Sequence, residues 1–198
     1  MLINNEIKKQ LSEYFKHITR PVRIHTKNPS ENLNSFLSEI VSLSNNLSIV
    51  QDPDLPYRNN SFELYDVDKA TGIVFSGIPG GHEFNSFILA ILSIFGLGEK
   101  LTDEQKAKIK NIDEKMVIEV FVTLSCTFCP GVVQSLNKIA LNNSNIIVNT
   151  IDGNEYIAEV REKRIVASPT VFINGEFLTS GAQSTDKLIE IITDKTMS

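Results

Sequence analysis

A chain of 198 residues with 41% hydrophobic and 22% charged content can bury one sizeable core or two small ones. Its net charge of −5 and pI near 5.3 argue against holding nucleic acid or anionic lipid by counterion release, and no basic run says otherwise. Two cysteines and three histidines are too few for a disulfide scaffold or a closed four-ligand zinc site, which leaves redox chemistry as the use for the thiols.

In chain order, Met1 to Glu6 has neither a basic leader nor an apolar core, so no signal peptide is expected and the cytoplasm is the expected location. Ile7, Leu11, Tyr14 and Phe15 then form the stripe of a helix, Val22 to His25 reads as a strand, and Leu33, Phe36, Leu37 and Ile40 mark a second helix. Strands follow near Leu47–Val50, Ser61–Val67 and Gly72–Phe75, while Asp52 to Asn60 is too short and Pro-rich for a helix. Glu83 to Phe95 is the next helix. The apolar stretch around it, Phe84 to Leu97, is interrupted by Asn85, Ser86, Ser93 and Gly96 and falls short of the ~20 residues that span a bilayer, so it reads as buried. Gly77 to Gly81 lacks the spacing and the Lys-Ser or Lys-Thr of a phosphate cradle and reads as a turn.

Thr102–Asp103–Glu104–Gln105 has the form of a capping box and opens a charged helix to about Ile112. A boundary near Glu99 divides the chain into residues 1–99 and 100–198. In the second part Met116 to Leu124 is nearly continuously apolar and β-branched, as a strand covered on both faces would be. Val132, Val133, Leu136, Ile139 and Ala140 recur at helical spacing behind Pro130, so a helix begins at Cys129–Pro130. Ile146 to Ile151 is a strand and Asn154 to Lys163 a helix. Asn174–Gly175 joins Thr170–Ile173 to Glu176–Leu178 as a hairpin, and Ser184 caps a helix carrying Leu188, Ile191 and Ile192. The order β-α-β-α-β-β-α thus occurs twice, the first time without one helix.

Cys126 and Cys129 flank the start of a helix that follows a strand. Disulfide exchange needs one accessible thiol that ionises near neutrality and a second that reaches the same sulfur. Cys126 would lie over the unpaired amide donors of the first turn, and Cys129, inside that turn, would be shielded and attack second. A helix terminus contributes ~0.3–2 kcal/mol and one pKa unit is ~1.4 kcal/mol, so a thiol of ~8.5 is expected to fall to about 7. The competing reading, two spectator cysteines or half of an intermolecular metal site, does not use the strand-then-helix context.

Thr19–Arg20–Pro21–Val22, Leu55–Pro56, Ser61–Phe62, Phe75–Ser76–Gly77, Gly81–His82–Glu83–Phe84, Leu124–Ser125–Cys126, Cys129–Pro130, Val132–Val133–Gln134 and Ile151–Asp152–Gly153 together resemble the N-terminal domain of the flavoprotein subunit of bacterial alkyl hydroperoxide reductases. The resemblance covers essentially the whole chain. It implies an α/β fold of two fused thioredoxin-like units sharing one extended sheet, with one working dithiol. Cys126 would attack the disulfide of a peroxiredoxin of the C-subunit type and Cys129 would resolve the mixed disulfide. Recharging would come from a flavin-dependent, thioredoxin-reductase-like protein or domain. With no dinucleotide fingerprint here, FAD and NADH are expected on that partner or on a C-terminal portion of the polypeptide.

The resemblance also implies that Pro169 is cis beside the dithiol, offering the Ser168 backbone to an extended substrate, with Thr127 and Phe128 on the same substrate-binding surface. On residues alone Pro169 reads as trans, since ~5% of X–Pro bonds are cis. Glu83 is implied to face the dithiol across the seam and to tune it or shuttle protons. On residues alone it reads as a solvated carboxylate in the first turn of a helix. The first half, with Thr26–Lys27–Asn28–Pro29 at the matching place, has no thiol. Two departures from the family pattern are Thr127–Phe128 in place of a His-Asn pair and Gly131 in place of an acid. The rival readings are a general protein disulfide oxidoreductase or isomerase, and a non-catalytic thioredoxin-like binding module.

Overall fold

Residues 3–196 are described by a computed structural model. The first half runs α1 (Asn5–Phe15), β1 (Val22–Lys27), α2 (Glu31–Val41), β2 (Leu47–Gln51), β3 (Ser61–Asp66), β4 (Lys69–Ser76) and α3 (Glu83–Ser93). The second runs α4 (Asp103–Lys110), β5 (Met116–Val122), α5 (Cys129–Asn142), β6 (Ile146–Asp152), α6 (Ile157–Glu162), β7 (Thr170–Ile173), β8 (Glu176–Ser180) and α7 (Thr185–Thr196). Local chemistry sets the boundaries. Asn4, Ser30 and Ser184 side chains accept from the amides of Ile7, Leu33 and Lys187, and Thr102 and Gln105 complete their capping box. Asn174 and Gly175 both take positive φ, as the two-residue turn of the β7–β8 hairpin demands.

All eight strands form one sheet in the order β2-β1-β3-β4-β6-β5-β7-β8. Each half contributes the same pattern: a central strand, a parallel neighbour on one side and a hairpin on the other. The halves join where β4 pairs in parallel with β6, Ile73 opposite Val148 through Ser76 opposite Ile151. A buried polar chain crosses the join: the Ser61 and Ser76 hydroxyls are 2.7 Å apart and Ser76 donates to Asn149 Oδ1 at 2.9 Å. A buried donor that is satisfied only across the seam fixes the register of the two halves. One core runs through both, from Leu11 and Phe36 to Leu136 and Leu188.

The structure departs from the sequence reading at a few edges. α6 is shorter than the span predicted for it, because Asp152 holds the preceding turn: its side chain accepts from the Asn154 amide, and its carbonyl from those of Glu155 and Tyr156. α4 stops at Lys110, where the Asn143 side chain donates to the carbonyls of Ile109 and Ile112. β5 is covered on both faces only at its end, with Val117 exposed and Glu119 half-buried.

The loop 52–60, which stands where the second half has α6, reaches across to the second half instead. Arg58 donates to both Glu159 oxygens, at 2.6 and 2.5 Å, and to Glu119 at 2.6 Å, over the rings of Phe121 and Tyr156. Burial works against the Arg58 charge, and the two carboxylates outweigh it and hold the guanidinium charged. Tyr156 Oη donates to the Asn59 carbonyl at 2.6 Å. Replacing Arg58 with Met leaves two carboxylates short of their partner and is expected to cost about 2 kcal/mol of stability. An unchanged urea midpoint in Arg58→Met would show this clamp to be idle.

Candidate dithiol site

β5 delivers the chain to Thr123, whose carbonyl accepts from the Cys126 amide at 2.9 Å in a tight turn. α5 then starts at Cys129 with Pro130 in its first turn, where a missing amide proton costs nothing. Phe128, at the N-cap, provides no side-chain acceptor for the first-turn amides. The Cys129 amide donates instead to Cys126 Sγ at 3.1 Å, a bond that favours negative charge on that sulfur once the pair is reduced. Cys126 and Cys129 form a disulfide with their Cα atoms 5.5 Å apart. Cys129 is fully buried and Cys126 is partly exposed, the asymmetry expected of a resolving and an attacking thiol.

The Ser168–Pro169 bond is cis, as the resemblance implied and the residues alone did not. Pro169 is buried, and its carbonyl accepts from the Gly181 amide at 2.8 Å. The Ser168 carbonyl lies 3.6 Å from Cys126 Sγ. Sulfur and loop open onto a groove of about 560 Å³ that Thr127, Phe128, Ile157 and Val166 also line. Phe128 is 68% exposed, Ile157 45% and Val166 98%, so half of the six exposed large hydrophobic residues among the described ones border this groove. The sequence places Ile157 with Tyr156 and Val160 on the apolar face of a helix, whereas it stands open at the groove, and Val166 carried no signal.

Glu83 corrects the reading from residues alone. It is 1% exposed, and neither carboxylate oxygen has a hydrogen-bond partner in the protein. It reaches the interior because Gly81, at φ +53°, presses on the backbone of the second half: a Cβ there would meet the Leu124 carbonyl oxygen at 2.2 Å. The next amide, of His82, donates to that same oxygen at 3.0 Å, two residues before Cys126. Glu83, Val122, Leu124, Thr150 and Asp152 line a cavity of about 10 Å³, the size of one water. Burial pushes the Glu83 carboxyl up to about 7, the Ser86 hydroxyl offsetting a little without completing a hydrogen bond. Burial raises the half-buried Asp152 carboxyl as well, against the Asn154 amide.

The matching corner of the first half is closed. The Asn60 side chain accepts from the Ser30 amide at 2.7 Å, and the Asn60 amide donates to the Lys27 carbonyl at 2.9 Å. The turn from Gly77 to Gly81 has its space taken by Glu155 and Leu124, so it does not fit the phosphates of a flavin or nicotinamide dinucleotide. Among the described residues no helix is long and apolar enough to cross a membrane, and no group of three or more His, Cys, Asp or Glu is placed to hold a metal ion.

Residues 116–193 match the family model described as a thioredoxin domain. The chain is 35% identical over 193 residues to a Bacillus subtilis protein named NADH dehydrogenase, covering 96% of this chain and 38% of that protein. It is 32% identical over 192 residues to the alkyl hydroperoxide reductase F subunit of Xanthomonas campestris, covering 95% of this chain and 36% of that protein. It therefore spans somewhat over a third of the length of these curated relatives. The crystal structure of the N-terminal domain of the Enterococcus faecalis alkyl hydroperoxide reductase F subunit superposes with a TM-score of 0.86 at 30% identity, covering 96% of this chain and 99% of that one. With the sheet order, the single dithiol and the cis-proline loop already in place, this likeness along the full length means that the chain belongs to the family of N-terminal domains of alkyl hydroperoxide reductase F subunits.

Proposed function

We propose that this chain is a thiol-disulfide oxidoreductase that carries electrons to the disulfide of a peroxiredoxin of the C-subunit type, in peroxide detoxification. One observation carries the reading: a partly exposed Cys126 sulfur, at the mouth of α5 and beside the Ser168 carbonyl, is bonded to a fully buried Cys129. In the reduced protein the Cys126 thiolate attacks one sulfur of the peroxiredoxin disulfide, and the other sulfur leaves and takes a proton. Cys129 gives up its proton and attacks Cys126 Sγ, the second peroxiredoxin sulfur departs as a thiolate that takes a proton from water, and two electrons have moved to the partner. The Cys129 proton starts from the interior, and Glu83, whose carboxyl exchanges a proton near pH 7, is the residue we assign to receive it.

Thr127, Phe128 and the Ser168 backbone form the surface on which the partner's segment lies, with Pro169 holding Ser168 in place. Recharging is assigned to a flavin reductase of the thioredoxin-reductase type that draws on NADH, on a partner or on another stretch of the polypeptide. The test combines such a reductase, NADH, a C-type peroxiredoxin and a hydroperoxide, with and without this chain. NADH consumption that requires both this chain and the peroxiredoxin is the expected result. Consumption unchanged when the chain is left out would overturn the relay. Reduction of insulin but not of the peroxiredoxin would point to a general disulfide oxidoreductase.

A further inference from the structure

Beside the dithiol groove stand two cations that nothing in the fold uses. Arg161 lies one helical turn beyond Ile157 on α6, and Arg164, just past the end of that helix at φ +53°, immediately precedes Ile165 and Val166, so both stand next to residues that line the groove. Both are exposed, and among the described residues neither has an ion pair or a hydrogen bond from its side chain. Their neighbours are committed: Lys163 faces Glu119 at 3.7 Å, Arg58 holds Glu119 and Glu159, and Glu155 Oε1 accepts from Asn60 Nδ2. Glu162 is exposed, five residues past Ile157 and so turned away from the groove. The chain as a whole carries −5, so an acidic partner would be repelled everywhere except where a local positive edge reverses the field.

Resting on the disulfide-exchange reading above, we infer that Arg161 and Arg164 set partner choice: the groove takes a disulfide-bearing segment that pairs an apolar residue with a carboxylate. The apolar residue lies among Phe128, Ile157 and Val166, and the carboxylate meets the arginine edge. Because the arginines stand at the rim in water, their effect falls on encounter and orientation and is sensitive to salt. Arginine in the last turn of a helix also complements the helix dipole, but that role changes thermal stability and leaves the ranking of partners alone.

The experiment uses the full chain, reduced and freed of reductant, in single turnover against short cystine peptides identical but for a Leu–Glu or a Leu–Lys flank. At low salt the Glu peptide is expected to react about fivefold faster, the difference that roughly 1 kcal/mol of exposed charge pairing yields. The ratio is expected to fall toward one in about 0.5 M salt, where the screening length is about 4 Å. It should invert in Arg161→Glu/Arg164→Glu and vanish in Arg161→Gln/Arg164→Gln, which guards against misfolding of the charge-reversed protein. Equal rates in the wild type, or a preference that survives both double variants, overturns the inference and leaves disulfide exchange standing. Failure to reduce either peptide removes the exchange reading and this inference with it.

Discussion

Cys126→Ser is expected to abolish disulfide exchange, by about a thousandfold or more, because a serine hydroxyl is not ionised at neutral pH and forms no disulfide. Cys129→Ser should behave differently. Its Cys126 sulfur still faces the open groove, so the first attack proceeds, and the reaction then stalls at a mixed disulfide that no second thiol can break. Mass spectrometry after mixing with oxidised peroxiredoxin is expected to find a covalent complex with Cys129→Ser and none with Cys126→Ser. The reverse pattern would exchange the two roles. Comparable residual turnover in both variants would mean that the pair is not the working centre. The asymmetry follows from burial alone: Cys129 is walled into the core, and only Cys126 can meet a partner's sulfur.

Much of this arrangement was legible in the chain. Residues 116–124 read as a strand and Cys129–Pro130 as a helix start because hydrophobic periodicity and proline at a first turn are local signals; the helix start stands in the structure, and the strand does so over Met116–Val122. The Asn174–Gly175 hairpin and the Thr102 capping box are local in the same sense. Glu83 is not. An acid in a first turn ordinarily faces water, and what buries this one is the backbone of Leu124, some forty residues on, against which Gly81 is pressed. The Ser168–Pro169 bond is cis, which no property of the Ser-Pro dipeptide announces. Arg58 looked like part of a Pro-rich loop and proved to be a clamp between the halves, since its two acids come from β5 and α6. Glu83 and Arg58 are the residues that local signals misplace, because the other half of the molecule creates their roles.

Stability is expected to fall as pH rises from about 4.5 to about 7, and Glu83→Gln should remove the largest part of that fall. An ordinary glutamate releases its proton near 4.5, whereas burial holds the Glu83 carboxyl protonated up to about 7 in the folded protein. Between those values the folded state binds a proton that the unfolded state has lost. The contribution is thus fully present below the unfolded value and is lost as pH climbs through the folded one. A shift of this size corresponds to about 3 kcal/mol. Gln at this site keeps a neutral side chain at every pH and carries a constant cost for burying an unsatisfied amide. The informative quantity is therefore the difference in unfolding free energy between the two proteins, followed by urea titration from pH 5 to 8. That difference should move in favour of Glu83→Gln by about 2.5 kcal/mol across the range, while Asp152 and the buried Glu63, whose carboxyl burial also raises, contribute equally to both and cancel. Parallel curves would mean that the Glu83 carboxylate is solvated after all. If Glu83 also receives the Cys129 proton, the rate at which the mixed disulfide resolves should rise through pH 7 in the wild type, and Glu83→Gln should lose that rise. A variant that gains stability at pH 8 while resolving as fast as the wild type would keep the buried acid and remove its part in catalysis.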